Sequence, residues 1–268
     1  MLGQIGAIPP LAPDVLWDFG SVKITNTMVN AWVLVIFFLI LGWFLRRPAK
    51  GVPGKLQNFV EIILSTMLDY IDKVTHDPKK SARFLPYIAS LFFFILLSNW
   101  MGLLPGIHSV GRYLPGEHGE HLVSLFRPAN TDLNMTLAMA SFAVISSHYL
   151  GVRYSGGFEH FNKFIKVGDV YRGFKKGGAN IMVGFVEFVV GLLETFAEFA
   201  KTLSLSLRLF GNIFAGEVLL TVIAGLVSFG APVPFMFMEL LVGMIQAVVF
   251  AMLTVVYFSL TTAEVEHH

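Results

Sequence analysis

The chain contains no cysteine, which excludes disulfides, thiolate nucleophiles and cysteine-ligated metal centres. Charge is scarce as well. Only 14% of its 268 residues are Asp, Glu, Lys or Arg, against about 25% in a soluble domain. With 19 basic and 18 acidic residues the net charge is +1, so no electrostatic footprint for nucleic acid is present. No glycine-rich phosphate loop occurs, which argues against nucleotide hydrolysis by this chain. The first 20 residues lack a basic segment and carry Pro9, Pro10, Pro13, Asp14 and Asp18; they do not read as a cleaved leader. Internal repeats are absent, and the whole chain, 1–268, reads as a single integral membrane domain.

What is present is apolar, 55% of the chain, and arrives in blocks long enough to cross a bilayer. A segment 1–27 precedes a first span at 28–45, with Trp32 and Trp43 suited to the aromatic belts. Between residues 55 and 76 the pattern changes. Leu56, Phe59, Val60, Ile63, Leu64, Met67, Ile71 and Val74 recur at helical spacing, with Gln57, Asn58, Glu61, Asp69 and Lys73 between them. That is an amphipathic helix lying on a membrane or on partner helices, stopped by Asp77-Pro78. Further spans are expected at 84–104 and 132–152, the latter with Asp132 near its N-cap. The loops 106–130 and 153–179 are polar and rich in glycine.

Lysine and arginine are divided unevenly. Arg46, Arg47, Lys50, Lys55, Lys73, Lys79, Lys80, Arg83, Arg153, Lys163, Lys166, Arg172, Lys175 and Lys176 fall on one side of the spans; Lys23, Arg112 and Arg127 fall on the other. The positive-inside rule makes the rich side cytoplasmic, with an exoplasmic N-terminus and a cytoplasmic C-terminus.

From Ile181 to Val227 the chain has no proline. One continuous helix of that length would measure roughly 70 Å, more than twice the hydrocarbon thickness of about 30 Å, and would have to tilt by about 65° from the normal. Pro232 and Pro234 mark a turn before a last helix at 235–262. The expected fold is therefore all-α and polytopic: about five transmembrane helices plus one amphipathic helix, the last two helices forming a long, strongly tilted hairpin. Two ordinary vertical helices broken near Lys201 are the alternative.

Within this hairpin Glu187, Glu194, Glu198, Lys201, Ser204, Arg208 and Asn212 step by three, four or seven residues and share one stripe. Glu239 and Gln246 are seven apart on the last helix. Ionisable groups inside apolar helices cost about 2.5–3.5 kcal/mol each on insertion scales, and mark an ion pathway unless they pair locally. Glu198 and Lys201 are spaced for such a local pair. Arg208 has no acid three or four residues away on either side, so its counter-charge must come from another chain or from water. Glu117, Glu120, His108, His118 and His121 crowd one loop; their spacing matches no zinc helix, and a solvated loop or a proton-collecting mouth explains them better than a metal. No cofactor is called for. Glu266, His267 and His268 read as a short polar tail.

The run Ser204 to Glu217, SLSLRLFGNIFAGE, and the ending QAVVFAMLTVVYFSL from Gln246 to Leu260 resemble the signatures of subunit a of F-type ATP synthases, the ATPase protein 6 family. Ser98 to Pro105 and Asp132 to Thr136 add weaker support. The resemblance implies a non-catalytic, proton-translocating subunit in a bacterial inner or plasma membrane. It implies as partners a rotating ring of c subunits, the b-subunit peripheral stalk, other subunits of the synthase and lipid. By position Arg208 matches the essential arginine that faces the ring carboxylates between two aqueous half-channels. Asn212 and Gln246 match its flanking amides, Glu217 and Glu239 the pair lining the exoplasmic half-channel, and Glu194 the acid of the cytoplasmic one. Ser204, Asn99, Asp132 and Asn134 are placed on the same path. Relatives often combine a carboxylate with a histidine where this chain has Glu217 and Glu239, and some have an acid at Gly102. Two neighbouring glutamates would tend to share one proton. A secondary ion transporter with a Glu/Arg-lined pathway is the competing reading, although such folds carry inverted repeats and broken helices, and a non-transporting scaffold would leave Arg208 without purpose.

Overall fold

The computed structural model describes residues 9–20, 23–45, 54–104, 106–116, 119–157, 179–227 and 230–262. Arg46, Arg47, Lys50, Glu117, His118, the basic loop 158–178 and the tail 263–268 lie outside the described residues, as do the side chains of His108, Glu120 and His121.

Among the described residues six α-helices carry the fold: α1 (Asn26–Leu45), α2 (Lys55–Thr75), α3 (Pro78–Met101), α4 (Leu133–Ser155), α5 (Ala179–Leu226) and α6 (Pro232–Thr262). All except α2 contain windows apolar enough to cross a membrane, so the chain is an all-α, polytopic membrane protein. α5 runs unbroken for 48 residues, about 72 Å at 1.5 Å per residue; the break near Lys201 does not occur.

Local chemistry sets the ends of these helices. The α2–α3 corner is made by His76 in the left-handed region (φ 52°) and by Asp77, whose carboxylate accepts from the backbone N–H groups of Lys79 and Lys80. Pro78 follows at the first helical position, where its missing N–H costs nothing. α3 therefore begins six residues before the apolar run that starts at Phe84. Asp132 caps α4 by accepting the Asn134 N–H at 2.9 Å. α6 likewise starts at Pro232 rather than Phe235, since prolines are tolerated in a first turn.

The segments flanking α1 and α3 are not wholly irregular. β1 (Val15–Asp18) pairs antiparallel with β2 (Lys23–Thr25), and β3 (Gly111–Gly116) with β4 (Gly119–Ser124). Both ribbons lie outside the spans and use their own partners to satisfy backbone groups.

α6 packs against both α3 and α4, and α5 lies against α4 and α6. One cluster joins Leu91, Ile95, Ala140, Ala143, Leu205, Leu209, Ala247 and Phe250. A second joins Ile71, Phe84, Ile88, Leu150, Val255 and Phe258, with Phe84 and Phe258 edge to face at 5.2 Å. At that end Arg83 donates to the Tyr154 hydroxyl and Lys80 to the Thr262 carbonyl. In lipid, helices gain little from apolar burial as such, so close approach through small residues and buried hydrogen bonds holds them together. Gly243 shows the approach: a Cβ there would sit 3.0 Å from the Cβ of Asn99, whose amide donates to the Gly243 carbonyl at 3.0 Å. Trp100 donates to the Leu240 carbonyl one turn away.

A Gly243→Leu substitution should separate α3 from α6 and destabilise the bundle by about 1–3 kcal/mol. Gly42→Leu, at a position on α1 with nothing within 4 Å of a new Cβ, should be neutral. Thermal aggregation midpoints of the detergent-solubilised protein compare the two; equal midpoints would count against the close α3–α6 contact as a source of stability.

Candidate functional site

α5 and α6 meet over the residues that carry charge. Near the end where the two helices connect, a cavity of about 350 Å³ is lined by Asn99, Gly102, Leu103, Leu104, Gly106, Pro128, Ile213, Glu217, Leu220, Thr221, Ala224, Pro232, Met236 and Glu239. The lining is mostly apolar, with two carboxylates and one amide set into it. Glu239 is buried at 7% exposure and lies against the backbone of Gly216, where a Cβ would fall on its carboxyl group. Gly216 is therefore the gap in α5 that lets Glu239 sit beside Glu217.

Glu217 is not paired with Glu239. Its carboxylate accepts from Arg127, Nε to Oε1 at 3.1 Å and Nη2 to Oε2 at 3.0 Å. Arg127 is itself only 4% exposed. The expectation of two glutamates dividing one proton overlooked this cation, 90 positions away in a loop. One signal did exist: on the side of the spans poor in positive charge, Arg127 is one of three basic residues, and a scarce charge beside an apolar run needs a partner. Asn130 was missed in the same way. Its amide donates to Asn99 Oδ1 at 2.6 Å and to the Ile95 carbonyl, which orients the Asn99 side chain beside the cavity.

At the centre of α5 the arrangement differs. Arg208 is exposed, and its Nη2 makes only a long contact to Ser204 Oγ, at 3.5 Å. Among the described residues no carboxylate lies within ion-pair distance of it. Ser204, Gly211, Asn212 and Ala215 are exposed on the same face, and Gly211 has open space where a Cβ would be. Behind this face Asn212 donates to Gln246 Oε1 at 2.6 Å, tying α5 to α6. The Nε2 of Gln246 is buried without a hydrogen-bond partner.

Of the remaining sequence candidates, Asp132 lies apart from the cavity, capping α4 and accepting from Thr27 Oγ1 at 3.0 Å, while the Asn134 side chain is exposed. Glu194 stands 14 residues, about 21 Å, from Arg208 along α5, and one of its oxygens is buried without a hydrogen-bond partner. Glu198 forms the local pair with Lys201 that its spacing suggested, and His148 of α4 approaches the same carboxylate at 3.6 Å. Gly102 is packed under the ring of Pro128, where any Cβ would overlap. An acid at that position would require the Pro128 loop to move.

Polar groups thus occur along the apolar hairpin, and at its middle stands a guanidinium with no carboxylate partner among the described residues. The sequence profile of the ATP synthase A chain family matches residues 28–259. The chain belongs to that family. Among ATP synthase a subunits, that of Mycobacterium ulcerans is 34% identical over 251 residues, covering 91% of this chain and 90% of the relative. That of Gloeobacter violaceus is 32% identical over 253 residues, covering 94% and 90%, and that of Syntrophobacter fumaroxidans is 30% identical, covering 93% and 89%. Membership makes this a membrane-embedded subunit of an ATP synthase engaged in ion transport, with other subunits of that enzyme as partners, and removes the secondary-transporter reading.

Gly216→Ala should push the Glu239 carboxyl off the α5 backbone, and, if that carboxyl lies on the transport path, should slow proton transport by about tenfold or more, since misplacing a reacting group by about an ångström has effects of at least that size. ATP-driven acidification of vesicles containing the purified complex measures it. Unchanged acidification would show that the seat of Glu239 against Gly216 is not required.

Proposed function

We propose that this chain supplies the stationary proton path of the synthase: two offset half-channels separated by Arg208, which faces the carboxylates of a rotating c-subunit ring. The observation that carries this reading is the face of α5 around Arg208. A guanidinium that never deprotonates in practice stands exposed, without an acid among the described residues, amid Ser204, Gly211, Asn212 and Ala215. Small neighbours let another helix approach closely, and a fixed cation there attracts an ionised carboxylate on that helix. The same cation blocks direct proton passage along α5. The cavity holding Glu217 and Glu239, with Asn99 beside it, serves as one half-channel; Glu194, on the far side of Arg208, belongs to the other. Ser204, Asn212 and Gln246 hold the arginine face in register, and Asp132 and Asn134 support the α4 start beside the path.

Length supports a tilted hairpin. A 72 Å helix crossing about 30 Å of hydrocarbon lies about 65° from the normal, a posture that follows a curved partner rather than a bilayer-spanning bundle. Lys79, Lys80, Arg83 and Arg153 gather near the end of the bundle where α3 starts and α6 finishes, which by the positive-inside rule supports a cytoplasmic position for that end and an exoplasmic one for the Glu217–Glu239 cavity. The b-subunit stalk is assigned to the remaining surfaces through the family alone.

Arg208→Ala is expected to abolish ATP-driven proton pumping and ATP synthesis in a complex of normal composition, and Arg208→Lys to restore neither, since it loses the planar fork. Proton flux in reconstituted vesicles, with subunit composition read from a native gel, decides the matter. Normal pumping in Arg208→Ala would refute the reading, and loss of assembly would assign Arg208 to structure.

A further inference from the structure

Arg127 is built as a fixture. A guanidinium carries five N–H donors, and four are engaged: Nε with both oxygens of Glu217, Nη2 with Glu217 and with the Pro10 carbonyl at 2.9 Å, and Nη1 with the Ala12 carbonyl at 3.3 Å. The backbone carbonyl of Arg127 also accepts from Asn30 of α1 at 2.8 Å. Three separate parts of the chain therefore hold the residue, and the side chain cannot swing without breaking its contacts to two of them, Glu217 and the Pro10–Ala12 segment. Glu217, at its end, is tied on one side to a buried, permanent cation.

Glu239 has the opposite surroundings. It is buried in the cavity wall; among the described residues the only other titratable residue lining the cavity is Glu217, and no cation stands within ion-pair distance of Glu239. A carboxylate gripped by a charge-assisted, forked pair holds its negative charge, whereas one with no cation nearby can take up and release a proton as water reaches it.

We propose that the two glutamates divide the work: Arg127 is a positioning residue that locks Glu217 as a permanent anion, and Glu239 is the group that takes up and delivers the proton on this side of Arg208. This rests on the half-channel reading above and deepens it. The proton binds a Glu239 oxygen from cavity water and leaves it toward the partner's carboxylate, while the charge on Glu217 remains balanced by Arg127 throughout.

The test uses the whole complex reconstituted in vesicles. Glu217→Gln should leave the buried Arg127 unbalanced and reduce proton flux at least tenfold. The double substitution Arg127→Gln/Glu217→Gln replaces the ion pair by two neutral amides and should recover at least tenfold over that single variant, with an unaltered pH midpoint of flux on the cavity side. Glu239→Gln should stay inactive in both backgrounds. If the double variant is as inactive as Glu217→Gln while assembled, Glu217 is the proton carrier and the division of roles is wrong. A pH midpoint that moves in the double variant overturns it as well. Should Arg127→Gln and the double variant both lack this subunit in the purified complex, Arg127 is structural and the proposal falls. Failure of the half-channel reading itself would appear separately, as normal pumping in Arg208→Ala.

Discussion

In an apolar bundle every charge must be matched by something, because neither water nor backbone is free to solvate it. The structure meets that demand in three ways along one hairpin. Glu198 takes Lys201 from its own helix and His148 from the next. Glu217 takes Arg127 from a distant loop. Arg208 takes no carboxylate among the described residues and is turned outward. The match made within a helix is the most local, the match made across the fold depends on α1, the N-terminal segment and the α4 start being in place, and the unmade match points to a partner chain.

The second kind explains why the loop before α4 is so heavily bonded. Arg127, Asn130 and Asp132 lie within six residues, and each holds something different: Glu217, Asn99 and Thr27. Ser98 accepts the Ala129 N–H and fixes the loop to α3. A loop that merely joined two spans would need none of these. This one registers four helices against one another around the cavity, and small residues at Gly102, Gly216 and Gly243 leave the space in which Pro128 of the loop, Glu239 and Asn99 respectively fit.

The order and character of the helices were readable from sequence because they rest on local properties: apolar run length, the periodicity of α2, the Asp77-Pro78 and Asp132 caps. The continuity of α5 was legible from an absence, the proline-free stretch before Val227, although length alone left a break near Lys201 open. The exposed state of Arg208 followed from the missing acid one turn away. Pairings across the fold were not legible. Nothing in helical spacing joins residue 127 to residue 217, and the same holds for Asn99 with Asn130. The β3–β4 ribbon was hidden for another reason: Pro115 and its glycine neighbours read as breakers, yet Pro115 sits opposite Glu120 in the ribbon, where backbone pairing and not side-chain pattern decides.

The outward guanidinium also bears on how the subunit is made. A lone Arg208 facing lipid disfavours the inserted state by about 2.5–3.5 kcal/mol on insertion scales, roughly a hundredfold in population. A partner polypeptide covering that face, as proposed above, would remove this cost. A chain lacking that covering partner should then be the less stably inserted one, and its steady-state amount should follow the supply of the partner.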